Sequence, residues 1–244
     1  GFQTLKADYF AILEGDDFWL DCRRLQKQVT FLEANPDFAI CAGNTIKMYE
    51  GATGEPHRFL YWGKRADATI EDVINLNPFF HNAGVLFRNS YRGNPPIHFS
   101  SRRSCDIFIT IAHAQFGKVH HIDEDYAVYR AHPGGRFSNR PKIVEWMFDI
   151  DGLRHFNAWL GYRYTKAFAG SIVKYCNYVL KEGQREGGSL SLRHRLNLHR
   201  IRASYGLVYF LLNWPRHLMS WGTQLGFTGF ALVCGILALG RRAK

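Results

Sequence analysis

The sequence predicts an α/β domain that gives way to a helical, basic tail, and three observations carry that reading. An apolar run, Tyr9-Phe10-Ala11-Ile12-Leu13, ends abruptly in Glu14-Gly15-Asp16-Asp17, three carboxylates within four positions. Short strand-like apolar runs alternate with helix-patterned segments as far as residue 140. From residue 141 to 181 the pattern is helical throughout, and after Glu186 the chain carries no carboxylate at all.

Residues 8–13 read as a central strand. Asp21 is placed to cap a helix over 22–34, whose apolar positions Leu25, Val29 and Leu32 share one face and which Asn35-Pro36 stops. Residues 38–44 and 46–50 follow as short strands before a Gly51-Ala52-Thr53-Gly54 turn. Thr69-Ile70-Glu71-Asp72 has the spacing of a capping box and opens a short helix to Leu76; 83–88 is a further strand. Ser104 caps a helix over 105–116 that Gly117 closes. Strands at 118–122 and 126–130 come next, and Pro133-Gly134-Gly135 opens a loop. Residues 183–188 read as a polar linker.

Hydrophobic residues at 46% and charged residues at 21% describe a chain that buries a core rather than a disordered one. The cysteines (Cys22, Cys41, Cys105, Cys176, Cys234) are odd in number and form no C-x-x-C pair, which points to free thiols in a reducing compartment. Zinc is excluded at His113, His120 and His121, because adjacent strand residues point to opposite faces and no ligand spacing completes a tetrahedron.

A strand that closes on three carboxylates is poorly suited to a core, since Asp and Glu are seldom buried without a partner or a metal. Hard oxygen ligands suit a divalent cation, and open α/β sheets collect ligands at the carboxyl ends of their strands. The plainer alternative is an acidic turn that caps the following helix.

Two blocks of sequence narrow the choice. The first runs from Asp8 through Glu14-Gly15-Asp16-Asp17-Phe18-Trp19 to Leu25-Gln26-Lys27-Gln28-Val29 and Phe31-Leu32-Glu33-Ala34-Asn35-Pro36-Asp37. The second comprises Asp106, Gly117-Lys118-Val119 and Val128-Tyr129-Arg130-Ala131-His132-Pro133-Gly134-Gly135. Together they resemble the family 2 glycosyltransferases with the GT-A fold, over residues 1–140. The resemblance implies a GT-A type, Rossmann-like mixed sheet. It is expected to be incomplete at the amino terminus, because the family places further βα units and a base-binding loop before the acidic strand, whereas this chain opens at Gly1. The expectation is a truncated chain holding the metal and acceptor half of the domain, inactive as a fragment.

The implied activity is inverting transfer of a sugar from a nucleotide-diphosphate donor to a hydroxyl of a lipid-linked or polysaccharide acceptor, with Mg²⁺ or Mn²⁺ as cofactor. Asp16 falls at the family's metal ligand, Asp17 is a second metal and donor contact, and Glu14 stands where many relatives place a ribose-binding Asp. Asp106 matches the catalytic base, in a first helical turn where the dipole keeps it ionised; Cys105 before it departs from the family's acidic or small residue. His132 would reach the metal or the diphosphate from a glycine-hinged loop, while Arg130 and Arg136 would contact phosphate oxygens. His81-Asn82 falls where the family lines its acceptor pocket.

The charge is unevenly divided. Residues 1–140 hold 16 Lys and Arg against 16 Asp and Glu, and residues 141–244 hold 15 against 5, so the whole net charge of +10 lies after residue 140. The expected organisation is therefore a partial catalytic domain at 1–140, a helical extension and linker at 141–188, and a basic, apolar, membrane-associated segment at 189–244. Residues 190–202 mix apolar and basic positions as an in-plane surface helix does. Residues 205–214 form a short interfacial or re-entrant run, and 221–240 is uncharged over the length of about 20 residues that crosses a bilayer. Arg241-Arg242-Ala243-Lys244 favours the cytoplasmic face of the cell membrane. Alternatives are a soluble bundle whose last helix is buried, a nucleic-acid contact, disfavoured by the apolar content, and a noncatalytic membrane-anchored module that binds a glycan or a partner enzyme on a GT-A frame.

Overall fold

The computed structural model describes residues 6–50, 55–58, 66–76, 80–92, 105–132, 134, 141–185 and 190–213, without the side chains of Leu76, Cys105 and Asp106. In chain order, β1 (Tyr9–Ala11) and the two-residue β2 (Phe18–Trp19) lead into α1 (Arg24–Ala34) and the long β3 (Phe38–Tyr49). Two short strands, β4 (His57–Arg58) and β5 (Asp67–Ala68), precede α2 (Ile70–Leu76). A 3-10 turn at Asn82–Gly84 opens β6 (Val85–Arg88), followed by α3 (Cys105–Ala114) and β7 (Lys118–Ala131). The chain ends its described part in α4 (Lys142–Trp159), α5 (Thr165–Arg185) and α6 (Leu192–Asn213).

The strands form one mixed, curled sheet in the order β1-β6-β3-β7-β2, with β4 added to β3 and β5 to β7. Only β3 and β7 run parallel, from Phe38 beside Lys118 to Tyr49 beside Ala131; every other pair is antiparallel. Each of these long strands replaces two expected short ones. Their register shifts on either side of Asn44, and the extra residues of β7 are absorbed in a bulge that bends the pair without ending it. Asn44 Nδ2 donates to Asp123 Oδ1 at 2.7 Å, and Arg58 pairs with both Asp123 and Asp125, so both aspartates meet partners from neighbouring strands.

The expected central strand at 8–13 is corrected: β1 has three residues and pairs only with β6 among the described residues. Only Phe10 is buried, while Leu13 is 40% exposed. With one partner among the described residues and one packed face, the apolar run is only half used.

One core fills the space between the sheet and α2, α3, α4 and α5, and it runs without a break from Ile40, Val85 and Phe87 to Phe156, Phe168 and Ile172. Phe108 of α3 stacks on Phe156 of α4 with ring centroids 4.5 Å apart. A smaller cluster of Leu32, Phe38, Cys41 and Leu86 seats α1 on the other face. Among the helices, α2 matches its expected start: Thr69 Oγ1 and Asp72 Oδ2 lie 3.0 Å apart, and each side chain also bonds the other's backbone N–H. The helix expected over 22–34 starts instead at Arg24, with Asp21 Oδ1 accepting from Arg23 N at 2.8 Å. Its fully buried positions are Arg24, Gln28 and Leu32, with Leu25 and Val29 only half-buried.

α6 is one continuous helix where a surface helix and a separate re-entrant run were expected. Tyr205 and Leu198, a helical repeat apart, both pack towards α5, and nothing at Ala203-Ser204 stops the helix between the two runs. Among the described residues no helix is long and apolar enough to cross a membrane; the uncharged run 221–240 lies outside them.

Candidate functional site

The chain leaves β1 and crosses to β2, whose two residues pair with Ala127 and Val128 of β7. That crossing brings the acidic turn beside the carboxyl end of β7. Asp17 N donates to Glu14 O at 3.1 Å and closes the turn. Arg130 N donates to Asp17 Oδ1 at 3.1 Å, and the Arg130 guanidinium bonds the Asp16 carbonyl. His132 Nε2 lies 3.1 Å from Asp16 Oδ2. Glu14, Asp16 and Asp17 each offer a carboxylate oxygen, all within 4.8 Å of one another, and among the described residues no other group of His, Cys, Asp and Glu could hold a metal ion in this way.

The two aspartates differ in chemistry. Asp16 is partly exposed, and the hydrogen bond from His132 is the main cause that holds its carboxyl below the ordinary carboxylate range. Asp17 is buried; burial raises its carboxyl to about 6, against the Arg130 N–H, which lowers it, and with help from the charge of Asp16. Its Oδ2 is buried without a hydrogen-bond partner. His81 Nδ1 stands 3.9 Å from that oxygen but accepts from Ala83 N at 3.4 Å, and burial depresses the imidazole to about 4. At neutral pH His81 is uncharged, so the approach is no ion pair.

An orphaned, buried carboxylate oxygen costs free energy unless something with positive charge meets it. A hard divalent cation fits this all-carboxylate donor set, with Asp17 and Asp16 as its first holders and Glu14 beside them.

The loop that presents His81 is held from beneath by residues the sequence pattern did not single out. Arg24 Nη1 and Trp19 Nε1 both donate to Ala83 O, at 2.8 and 3.1 Å, and the guanidinium lies 4.2 Å from the centroid of the Trp19 ring. Gln28 Nε2 donates to Gly84 O at 3.0 Å and to Cys41 O at 2.8 Å. The available signal was an i, i+4 polar pair, Arg24 and Gln28, on the face of α1 that also carries Leu32.

Of the other expected residues, Asp106 has its backbone in the first turn of α3, and its side chain lies outside the described residues, as does Arg136. Asn82 is buried in the 3-10 turn next to His81. The three histidines weighed for zinc make bonds of their own. His113 Nδ1 bonds Ile109 O at 2.8 Å, His120 Nδ1 meets Asp67 at 2.6 Å, and His121 Nε2 meets Asn44 Oδ1 at 2.9 Å.

No family model matches the chain. It is similar to three uncharacterized mycobacterial proteins: Mb1547 of Mycobacterium bovis, and MT1570 and Rv1520 of Mycobacterium tuberculosis. Each is 31% identical over 147 residues, which cover 57% of this chain and 40% of the relative. The chain thus spans about two fifths of the length of the curated relatives it matches.

Proposed function

We propose that the chain carries the metal site and the catalytic base of an inverting, metal-dependent glycosyltransferase of GT-A type. It would transfer a sugar from a nucleotide-diphosphate donor to a hydroxyl on a lipid-linked or polysaccharide acceptor. The single observation that carries this reading is the orphaned Oδ2 of buried Asp17, with carboxylates of Asp16 and Glu14 within reach of the same ion. A bound Mg²⁺ or Mn²⁺ would supply charge neutralisation for the departing diphosphate. Arg130 fixes the orientation of Asp17 through its N–H and braces Asp16 through its guanidinium. His132 is held on Asp16 and is free to exchange that bond for a phosphate oxygen when a donor arrives. Asp106, in the first turn of α3, is the residue proposed to take the proton of the attacking hydroxyl, because a helix amino terminus keeps a carboxylate ionised.

Two measurements test the reading. Calorimetric titration with Mn²⁺ and inorganic pyrophosphate should give metal-dependent binding that Asp16→Ala removes. A mass-spectrometric screen of nucleotide sugars against the full-length protein should find a donor whose transfer falls at least about a hundredfold in Asp106→Asn, the scale of a lost general base. Undiminished transfer by the full-length protein carrying either Asp16→Ala or Asp106→Asn would end the proposal, and metal-dependent binding with no transfer by the full-length protein from any donor would make it a noncatalytic binding module.

A further inference from the structure

We propose that α6 docks the protein on an anionic lipid surface, lying in the plane of the interface with the face it turns away from α5. The packed side of the helix is plain: Leu198 is buried, Ile201 and Tyr205 rest on the core, and Arg202 Nη1 donates to Asn177 Oδ1 of α5 at 3.2 Å. On the opposite side, helical periodicity sets Leu192, Leu196, Ala203 and Leu207 in one row. The three leucines are 68%, 62% and 41% exposed. Arg193 and Arg200 border this row on one side and Arg195 on the other, all three exposed.

Water is a poor neighbour for a row of leucines, and an apolar row bordered by cations is the pattern of a helix that lies in a lipid headgroup layer. Charge complementarity selects the occupant. The helix holds Arg193, Arg195, Arg200 and Arg202 and no carboxylate, and the sequence from 187 to 244 holds no carboxylate either. A symmetric second copy would set these arginines against their own equivalents, with no acid on the helix to meet them. Nucleic acid would satisfy the arginines and leave the leucines in water. An anionic bilayer satisfies both sets at once, because the basic side chains reach phosphate while the leucines enter the acyl boundary. The acidic site has no part in this reasoning, so either reading can fail without the other.

The test is flotation of the full chain with vesicles of phosphatidylcholine alone or mixed with phosphatidylglycerol, over a range of salt. Co-flotation should require phosphatidylglycerol and weaken as salt rises. Arg193→Gln with Arg200→Gln should weaken partitioning about thirtyfold, on the scale of two surface cations. Leu196→Asp with Leu207→Asp should abolish it. These side chains are exposed, so circular dichroism and the unfolding midpoint should be those of the parent, which separates lost docking from lost folding. Flotation of the leucine variant at the parental level would overturn the proposal by assigning attachment to another segment, 221–240 included. Equal flotation with neutral vesicles would overturn it too. So would absence of flotation, whether sedimentation then showed a dimer dissolved by the leucine changes or filter binding showed RNA retained in a salt-dependent way.

Discussion

Arg24 Nη1 donates to the Ala83 carbonyl oxygen at 2.8 Å across 59 residues of sequence, from a guanidinium that has no exposed surface. Burial lowers its pKa to about 10, which still leaves it charged at neutral pH, while its Nε and Nη2 are buried without hydrogen-bond partners. What favours the charge there is the Trp19 ring beneath it and the carbonyl in front. Arg24→Ala removes both and leaves a void, so it should cost about 2–5 kcal/mol of unfolding free energy. Arg24→Met keeps the volume and removes the unpartnered N–H groups, and should stay within about 1.5 kcal/mol of the parent. Urea unfolding followed by circular dichroism decides; equal losses in the two variants would mean that packing is not what the side chain contributes.

Asp17 makes the fold pH-dependent in an unusual direction. Its folded-state pKa, raised by burial to about 6, lies above the ordinary value of 3.8, so the native protein holds a proton that the unfolded chain releases first. The stability this provides is complete below pH 4 and is lost as pH rises through about 6, by at most about 3 kcal/mol. Asp16 acts the other way: its carboxyl is lowered, chiefly by the His132 hydrogen bond, and its contribution disappears as pH falls. In buffer containing a chelator, Asp17→Asn should therefore become more stable relative to the parent between pH 4 and pH 7. A constant difference across that window would show that Asp17 titrates normally.

A divalent cation should reverse this trend, since it favours the ionised carboxylates that burial opposes. Added Mn²⁺ should raise the melting temperature of the parent at pH 7, by the equivalent of about 2.7 kcal/mol when the free ion is a hundredfold above its dissociation constant. Asp17→Asn should lose nearly all of the shift, and Glu14→Gln should lose part of it. A shift that survives in Asp17→Asn would place the ion elsewhere.

How much of this was legible in the sequence depended on how local each cause was. The Thr69 and Asp72 box is a three-residue relationship, and it forms as the spacing implies. Likewise the acidic turn stands out because three carboxylates end an apolar run. The buried side of α1 was not legible, because patterning counts Arg and Gln as outward, whereas Arg24 and Gln28 point in to meet carbonyls of a loop more than fifty residues away. The continuity of β7 was hidden by Asp123-Glu124-Asp125, which reads as a break until Asn44 and Arg58 arrive from other strands to pair with it. Nor does local sequence bring His81 to face Asp17; that contact exists only once β2 has docked on β7 beside the 3-10 turn.

Two helical glycines offer opposite outcomes for the same substitution. Alanine exceeds glycine in helix propensity by about 1 kcal/mol, so Gly→Ala stabilises wherever there is room for a methyl group. Gly206 of α6 has nothing within 4 Å of the position its Cβ would take, and Gly206→Ala should gain up to about 1 kcal/mol. At Gly152 of α4 the Cβ would lie 1.9 Å from Cζ of Phe108, whose ring is already stacked on Phe156 and buried in the core. Overpacking costs about 1–3 kcal/mol, which matches or exceeds the propensity gain, and Gly152→Ala should unfold at lower urea than the parent. A higher midpoint for Gly152→Ala would mean that α4 does not approach α3 this closely, and the single core joining the sheet to the helices after residue 141 would have to be redrawn.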